Sequence, residues 1–398
     1  MIILAIETSC DETAASVIKF TEKPFKIEIL SNVVSSQIQI HRAFGGIVPE
    51  VAARVHLEKI LPVLKQAFAN WHEYGHKSHQ FAKIRDQIRE YSRIIDLIAV
   101  TNGPGLITSL LVGVEVAKTL AYIWQKPLMP INHLEGHIYA CFASQIPNSK
   151  FQIPNLFPAV CLIVSGGHTE LVLMKDHGRY EKIGQTRDDA AGECFDKTAK
   201  LLNLGYPGGP AIAAQAAKYR NIEISKYRVK LPRPMINSND FDFSFSGLKT
   251  AVLYKVKSEK RKAKSKEYIR TMCAEIQQAA VDVLVAKTIK AAREFKSKSV
   301  ILCGGVAANS ALRQQLETKV NNLITKPQFW VPPKNLCTDN AAMIGLAGYF
   351  KFIKTQEHKN IKTKNELSKI FNWRKIKVDP NLEIPIFSKI TSRQLAEK

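Results

Sequence analysis

Two histidines, His133 and His137, stand four residues apart in the run His133-Leu134-Glu135-Gly136-His137. On a helix this spacing puts both imidazoles on one face, close enough to chelate one metal ion. Two ligands alone make a weak site. A carboxylate from elsewhere would complete a facial set with open positions, which suits Fe(II) or catalytic Zn(II); otherwise the pair is two ordinary polar helix histidines. The best candidate for the third ligand is Asp339 in Cys337-Thr338-Asp339-Asn340, where a carboxylate at a helix start can also be a plain N-cap. A second pair, in His72-Glu73-Tyr74-Gly75-His76, matches the zinc-protease pattern. Gly75 weakens the helix that pattern requires, and Lys77, Ser78 and His79 continue a polar stretch, so the peptidase reading is disfavoured.

Three glycine-rich turns form the next group. Ser165-Gly166-Gly167 lies between two strand-like runs, Gly208-Gly209-Pro210 precedes a helix, and Gly304-Gly305-Val306 ends a strand. Glycines let a backbone approach phosphate or ribose, and helix N-termini favour anions. No GxxxxGK[ST] run is present, which excludes a P-loop. The acids of Asp188-Asp189-Ala190-Ala191-Gly192-Glu193-Cys194-Phe195-Asp196-Lys197 either compensate a helix dipole or bind ribose hydroxyls or a second cation.

The elements that must position these groups are legible as apolar runs. Ile2–Ile6, the polar turn 8–13 and Ala14–Phe20 read as a hairpin, with a third strand over Lys26–Ser36. Pro49 opens a helix through about Phe68. Residues 70–93 carry His72, Lys83, Arg85, Arg89 and Arg93 with few apolar positions and read as a basic surface insertion. A buried strand follows at Ile94–Thr101, a helix over Thr108–Trp124, a strand at Leu128–Ile131 and a helix from His133. The second unit repeats the theme: strand Ala159–Val164, tight turn 165–168, strand Thr169–Met174, then a long helix over Tyr268–Phe295. Strand Val300–Cys303, a helix from Asn309, strand Phe329–Val331 and a final helix from Asp339 complete it. Two halves with this rhythm predict a duplicated α/β architecture with a cleft between lobes, on which the glycine turns would converge. The tail beyond about Lys354 is basic and reads as peripheral.

Lys and Arg number 57 against 35 Asp and Glu, a formal net charge of +22. Such a balance favours a polyanionic partner, nucleic acid or an anionic membrane surface. Seven scattered cysteines without a CxxC pair predict no disulfide framework and a reducing, cytoplasmic compartment. The opening MIILAIETSC reads as a strand and not as a signal peptide. No apolar run is read as reaching the roughly 18 residues needed to span a bilayer, so no membrane association is expected.

Several longer motifs, in register, resemble the TsaD family. They are Glu7-Thr8-Ser9-Cys10-Asp11-Glu12-Thr13, Gly45-Gly46-Ile47-Val48-Pro49-Glu50, Gly103-Pro104-Gly105-Leu106, the 133–137 run and Ser165-Gly166-Gly167-His168-Thr169. Phe195-Asp196-Lys197-Thr198-Ala199-Lys200, Tyr206-Pro207-Gly208-Gly209-Pro210 and the run Phe241–Thr250 continue the series, with Gly304-Gly305-Val306-Ala307-Ala308-Asn309 and Cys337–Asn340 closing it. The resemblance covers 1–350 apart from the insertion.

This resemblance implies an actin-like, sugar-kinase-like ATPase fold of two RNase H-like lobes. It implies 1–127 as the N-terminal lobe, 128–336 as the C-terminal lobe, 337–354 as a helix packing back on the first lobe, and 355–398 as a basic tail. The implied activity is transfer of a threonylcarbamoyl group from threonylcarbamoyl-AMP to N6 of the adenosine just 3′ of the anticodon, in tRNAs reading codons that begin with adenine. Under it His133, His137 and Asp339 look like the ligands of one Fe(II) or Zn(II). Ile163, Val164, Ser165, Gly166, Gly167, Asp196, Gly209 and Asn309 look like contacts for the adenylate or an ATP/AMP-type nucleotide. Asp11 and Glu12 look like catalytic acids in the first phosphate-loop position. The implied partners are tRNA, the paralogue TsaB and the small ATPase TsaE, with TsaC supplying the adenylate. A small-metabolite kinase of the same fold would instead need acidic Mg²⁺ ligands. A zinc endopeptidase would use His72 and His76, and a non-catalytic nucleic-acid scaffold would need no adenylate pocket.

Overall fold

The computed structural model describes residues 1–23, 25–73, 91–143, 156–219, 227–259, 265–359 and 371–385. The opening apolar residues build three antiparallel strands, β1 (Ile2–Glu7), β2 (Glu12–Glu22) and β3 (Phe25–Ser36), with β1 pairing β2 from Ile2↔Lys19 to Glu7↔Ala14. Helices α1 (Ile38–Arg42) and α2 (Pro49–Glu73) lead to β4 (Leu97–Gly103), which joins β1 in parallel. Helix α3 (Ile107–Trp124) then crosses to β5 (Leu128–Asn132), parallel to β4. The first sheet therefore runs in the order β3-β2-β1-β4-β5. It extends through Asn132, so a lobe boundary drawn at 127/128 would divide it.

The second half repeats this wiring. Strands β6 (Ala159–Val164), β7 (Thr169–Asp176) and β8 (Arg179–Gln185) form the meander. After helices α5 (Ala191–Leu201), α6 (Gly208–Ala217), α7 (Ser246–Ser258) and α8 (Lys266–Glu294), β9 (Ser299–Cys303) joins β6 in parallel. Helix α9 (Ser310–Asn321) and β10 (Gln328–Trp330) complete the sheet, whose order β10-β9-β6-β7-β8 is the first sheet's order read from the other edge.

Each half ends in a helix that leaves its own sheet. Helix α4 (His133–Ala140) follows β5, and α10 (Ala341–Lys359) follows β10. Leu134, Ile138 and Tyr139 of α4 share one hydrophobic core with Cys161, Ile163 and Ile301 of the second sheet. In the same core Ala342, Leu346 and Tyr349 of α10 meet Ile3, Ala5 and Ile18 of the first sheet. Strand alternation assigns the opposite faces: Leu4 and Ile6 pack under α2 and α3, and Val160 and Leu162 pack under α8. The middle layer is thus two crossed helices between two sheets.

Three sequence expectations change. The insertion 70–93 is anchored at both ends: α2 continues through Glu73, and Trp71 and Tyr91 are buried, with Tyr91 stacked on Phe68. Lys83, Arg85, Arg89 and His76 lie outside the described residues. Helix α3 is 18 residues long and apolar enough to cross a membrane by length and composition, with mean hydropathy 1.4. Its inner face, including Leu110, Val114, Ala117 and Ala121, is core packing against the first sheet. Finally, the tail is not all peripheral: in residues 371–385, Ile376 and Ile384 are buried. Lys362 and Lys364 lie outside the described residues.

Candidate metal centre and interlobe cleft

Helix α4 begins where Asn132 caps it, its side-chain oxygen accepting from the backbone N–H groups of Leu134 and Glu135. The next residue is His133, and His137 lies one turn on. Between them, Gly136 allows α10 to come close: a Cβ there would sit 2.8 Å from Ile344 and 3.2 Å from Met343. Glu135 faces the other way, its carboxylate 4.0 Å from Lys351 Nζ on α10, and Lys351 also donates to the Pro130 carbonyl. The cap of α10 is Asn340, whose Oδ1 accepts from Met343 N–H. Asn340 therefore takes the position that Asp339 would fill as a cap. The Asp339 carboxylate is not the cap and points across the helix crossing.

There Asp339 Oδ1 lies 3.4 Å from His133 Nε2 and 3.3 Å from His137 Nε2. One ligand atom from each of the three residues falls within 4.8 Å of the others, the spacing of a metal-ligand set. His133 is further oriented from behind. Its Nδ1 faces Glu7 Oε2 at 3.2 Å and Ser9 Oγ at 3.1 Å, which directs Nε2 at Asp339. Glu7 is completely buried at the end of β1, held by Thr101 Oγ1 and the Ser9 backbone N–H. This carboxylate–imidazole arrangement is the usual support of a metal-binding histidine.

The electrostatics agree. Burial opposes charge on His133, but Asp339 and Glu7 outweigh it and hold the imidazole well above its ordinary value. Burial likewise opposes the Asp339 carboxylate, and His133 and His137 overcome it and hold the group far below its ordinary value. His137 is pushed down by burial, and its Nδ1 has no hydrogen-bond partner among the described residues. A field that keeps a proton on His133 is one that would attract a cation, and the donor set of two imidazoles and a carboxylate fits Fe(II) or Zn(II).

The loop 8–13 borders this centre. His56 of α2 grips it from outside, Nδ1 bonded to Thr13 Oγ1 at 2.8 Å and Nε2 to the Cys10 carbonyl at 3.0 Å. Asp11 and Glu12 are both buried. Burial, Asp339 and Asp11 together push Glu12 well above the ordinary carboxylate range. Across the cleft stands Asp196 on α5, raised by burial with Asp11 contributing, its Oδ1 accepting from Gly208 N–H at 2.6 Å. Tyr206 is also raised by burial, with the charges of Asp11 and Asp196 contributing. The first-half loop at Gly45 approaches Lys200 of α5, which closes one side.

The glycine turns divide into two kinds. A Cβ at Gly166, Gly167, Gly209 or Gly305 would meet nothing within 4 Å, so these edges are open to a ligand. Gly304 is structural: with φ +92°, a Cβ there would lie 2.4 Å from the Val164 carbonyl. Ile163 and Val164 are fully buried in β6, one on each face of the sheet, so their side chains shape the turn without lining the cleft. Asn309 caps α9 through Oδ1 and bonds Gln277 through Nδ2. The acids at 188 and 189 are neutralised locally. Asp188 binds Ser244, Ser246 and the Phe245 N–H, and Asp189 pairs with Lys197 and Lys249.

Sequence reasoning did not single out Glu7 or Tyr206 as site residues. The available signal for Glu7 was a carboxylate ending an otherwise apolar strand, a position that demands a partner. Tyr206 stood inside a motif already noted, next to Asp196 only in space.

Comparison with known proteins supplies the family. A family model described as "TsaD: tRNA N6-adenosine threonylcarbamoyltransferase" matches residues 28–77 and 79–346. The protein of that name from Thermomicrobium roseum is 48% identical over 368 residues, covering 88% of this chain and 92% of the relative. Its namesake from Syntrophomonas wolfei is 46% identical over 351 residues, again covering 88% and 92%. Among solved structures, full-length HypF in its phosphate- and nucleotide-bound form superposes with a TM-score of 0.51 at 13% identity. That match covers 91% of this chain, which spans about half (47%) of HypF, and it speaks to the fold alone. The topology is the duplicated actin-like, sugar-kinase-like α/β fold, and the chain belongs to the TsaD family of tRNA N6-adenosine threonylcarbamoyltransferases.

Proposed function

We propose that this acyltransferase moves the threonylcarbamoyl group of threonylcarbamoyl-AMP to N6 of the adenosine just 3′ of the anticodon, and that it does so with a divalent metal held by His133, His137 and Asp339. The observation that carries the metal reading is the convergence of both Nε2 atoms on Asp339 Oδ1, with Glu7 behind His133. A histidine-rich set of this kind also argues against a Mg²⁺-ATP kinase. When bound, such an ion supplies Lewis acidity toward a carbonyl or phosphate oxygen.

The chain's own residues supply the rest. The open edges at Gly166, Gly167 and Gly209 let the adenylate approach the backbone, with Ser165 and Asp196 beside them. The tRNA amine attacks the carbamoyl carbonyl carbon, the bond to the phosphate oxygen breaks, and AMP leaves. Asp11, in the loop facing Asp196 and Tyr206, accepts the amine proton. Burial, with Asp339 and Asp11, pushes Glu12 well above the ordinary carboxylate range, which suits it to donate a hydrogen bond in the site. The formal charge of +22 supports a tRNA partner, and seven free cysteines support a reducing cytoplasm.

A protein partner is supported by apolar side chains left on neighbouring helices: Leu57 and Leu61 on α2, and Ile107 and Leu111 on α3, all exposed. We assign this face to TsaB, with TsaE joining the assembly and TsaC supplying the adenylate.

The test is a transfer assay. Purified protein, preformed threonylcarbamoyl-AMP and unmodified tRNA are mixed with and without TsaB and TsaE, and the digested tRNA is read by nucleoside mass spectrometry. The modified adenosine should appear with the wild-type chain and vanish with His133→Ala. Its absence under every partner combination would sink the reading.

A further inference from the structure

Residues 371–385 lie beyond the span matched by the family model, which ends at 346. They nonetheless make a continuous series of backbone contacts with the first half. The Leu128 N–H donates to the Phe371 carbonyl at 3.2 Å, and Asn102 Nδ2 donates to the Lys377 carbonyl at 3.2 Å. The Asp379 N–H donates to the Asn102 carbonyl at 2.8 Å, and the Gly105 N–H to the Pro380 carbonyl at 3.2 Å. The apposition is tight: a Cβ on Gly103 would lie 1.9 Å from the Asp379 carbonyl oxygen. Ile376 is anchored under α3, and Ile384 enters the middle-layer core. At the far end Glu383 pairs with Lys182 on β8 at 3.3 Å. The segment is therefore a strap that runs along the first half and ends on the second.

Its contact with Asn132 links it to the metal centre. Asn132 is 2% exposed and offers one acceptor and two donor protons. The acceptor caps α4 at Leu134 and Glu135, at 2.8 and 3.3 Å. Nδ2 donates to the strap carbonyls of Leu382, at 3.2 Å, and Glu383, at 2.9 Å. Two carbonyls facing the amide nitrogen fix which way the side chain is turned. The opposite orientation would put the NH₂ group against helix N–H donors and the oxygen against the strap carbonyls. The residue after this joint is His133.

We propose that the strap 371–385 is a positioning element of the metal centre, acting through Asn132 to set the start of α4 and with it the direction of His133 and His137. The inference rests on reading His133, His137 and Asp339 as metal ligands. It assigns no chemistry to the strap itself.

The experiment uses the full chain and three variants. Ile384→Ala loosens the strap's buried end. Gly103→Ala presses a methyl group on Asp379. Asn132→Asp keeps the capping oxygen but sets a carboxylate against the two strap carbonyls. Two quantities are read: amide hydrogen exchange at Leu134 and Glu135 in metal-free protein, and Zn²⁺ affinity by competition with a chelating dye. All three variants should exchange at Leu134 and Glu135 about tenfold faster or more, and bind Zn²⁺ about tenfold more weakly.

The proposal is overturned if the Asp379 and Leu382 amides lose protection while Leu134, Glu135 and Zn²⁺ affinity stay at wild-type values. Should a core variant unfold throughout, Lys182→Met, which removes the strap's terminal ion pair without touching the core, decides by the same two readouts. A wild-type chain that binds no Zn²⁺ would remove the metal reading, and the exchange data would still judge whether the strap orders α4.

Discussion

Two acid-rich regions of this chain look alike in sequence and differ in what surrounds them. In the first, Glu7, Asp11, Glu12 and Asp339 gather at the crossing of α4 and α10, and the nearest countercharges are histidines. In the second, Asp188, Asp189, Glu193, Asp240 and Asp242 are met by Lys197, Lys249, Arg187 and serine hydroxyls. The second cluster is satisfied and ties the 187–189 loop to the 240–246 loop. In the first the carboxyls are instead pushed apart, Asp339 and Glu7 downward beside His133 and Glu12 upward. Opposed shifts of this kind, without a permanent cation nearby, mark the first cluster as the candidate for function, whereas the lowered carboxyls of the second are accounted for by their own partners.

The sharpest way to break the comparison is to remove one acid from each. Asp339→Ala takes a ligand from the centre and should abolish stoichiometric metal binding and lower transfer by about a hundredfold or more. Asp188→Ala should leave metal content at wild type and transfer within a few-fold. Its cost should appear as stability, about 1–2 kcal/mol in urea unfolding, because four hydrogen bonds are lost at a site largely open to solvent. If Asp188→Ala removed the metal, or Asp339→Ala left it, the division into functional and structural acids would be wrong.

A finer probe is Glu7→Gln. The amide keeps the shape and can still reach His133 Nδ1, but it removes the charge that favours the metal-directed tautomer and the ligand's basicity. Metal affinity should fall by about 10–100-fold with the fold intact, a smaller effect than loss of Asp339. An unchanged affinity in metal titration would demote Glu7 to a core residue.

Much of this was legible in the sequence. The hairpin β1–β2 and the parallel strands β4, β6 and β9 announced themselves as short apolar runs, because a strand covered on both faces has no polar side to show. The two candidate metal-binding histidines announced themselves by spacing. What escaped was carried by contacts that leave no periodicity. Strand β8, Arg-Tyr-Glu-Lys-Ile-Gly-Gln, is mostly polar because it is an edge, and α7 hides behind the serine-rich turn that Asp188 pins. The tail read as a solvated basic segment because its docking rests on backbone carbonyls and two isoleucines. Asp339 was ambiguous as cap or ligand. The neighbouring Asn340 takes the cap, and only the three-dimensional crossing of α10 over α4 turns Asp339 toward the histidines.

The smallest expected effect concerns pH and a histidine away from the centre. His177 sits at the β7–β8 turn, stacked on Phe350 and edge-on to Phe157, with Nδ1 facing Tyr139 Oη at 3.2 Å. Burial pushes it down to about 4, with Asp176 opposing and Lys354 assisting. A folded value below the unfolded one means that the unfolded chain takes up the proton first as pH falls. The contribution of His177 to stability is therefore complete above about pH 6.5 and is lost as pH drops toward 4. His168, also lowered by burial to about 4, adds a second term of the same sign. His177→Phe keeps the ring packing and deletes its titration. Its urea midpoint should fall less steeply than the wild type's between pH 6.5 and 4.5, a difference of about 1 kcal/mol for a ring partly open to water. Parallel curves would mean that His177 meets the same proton affinity folded and unfolded, and that the acid sensitivity of the protein comes from its other groups, His168 among them.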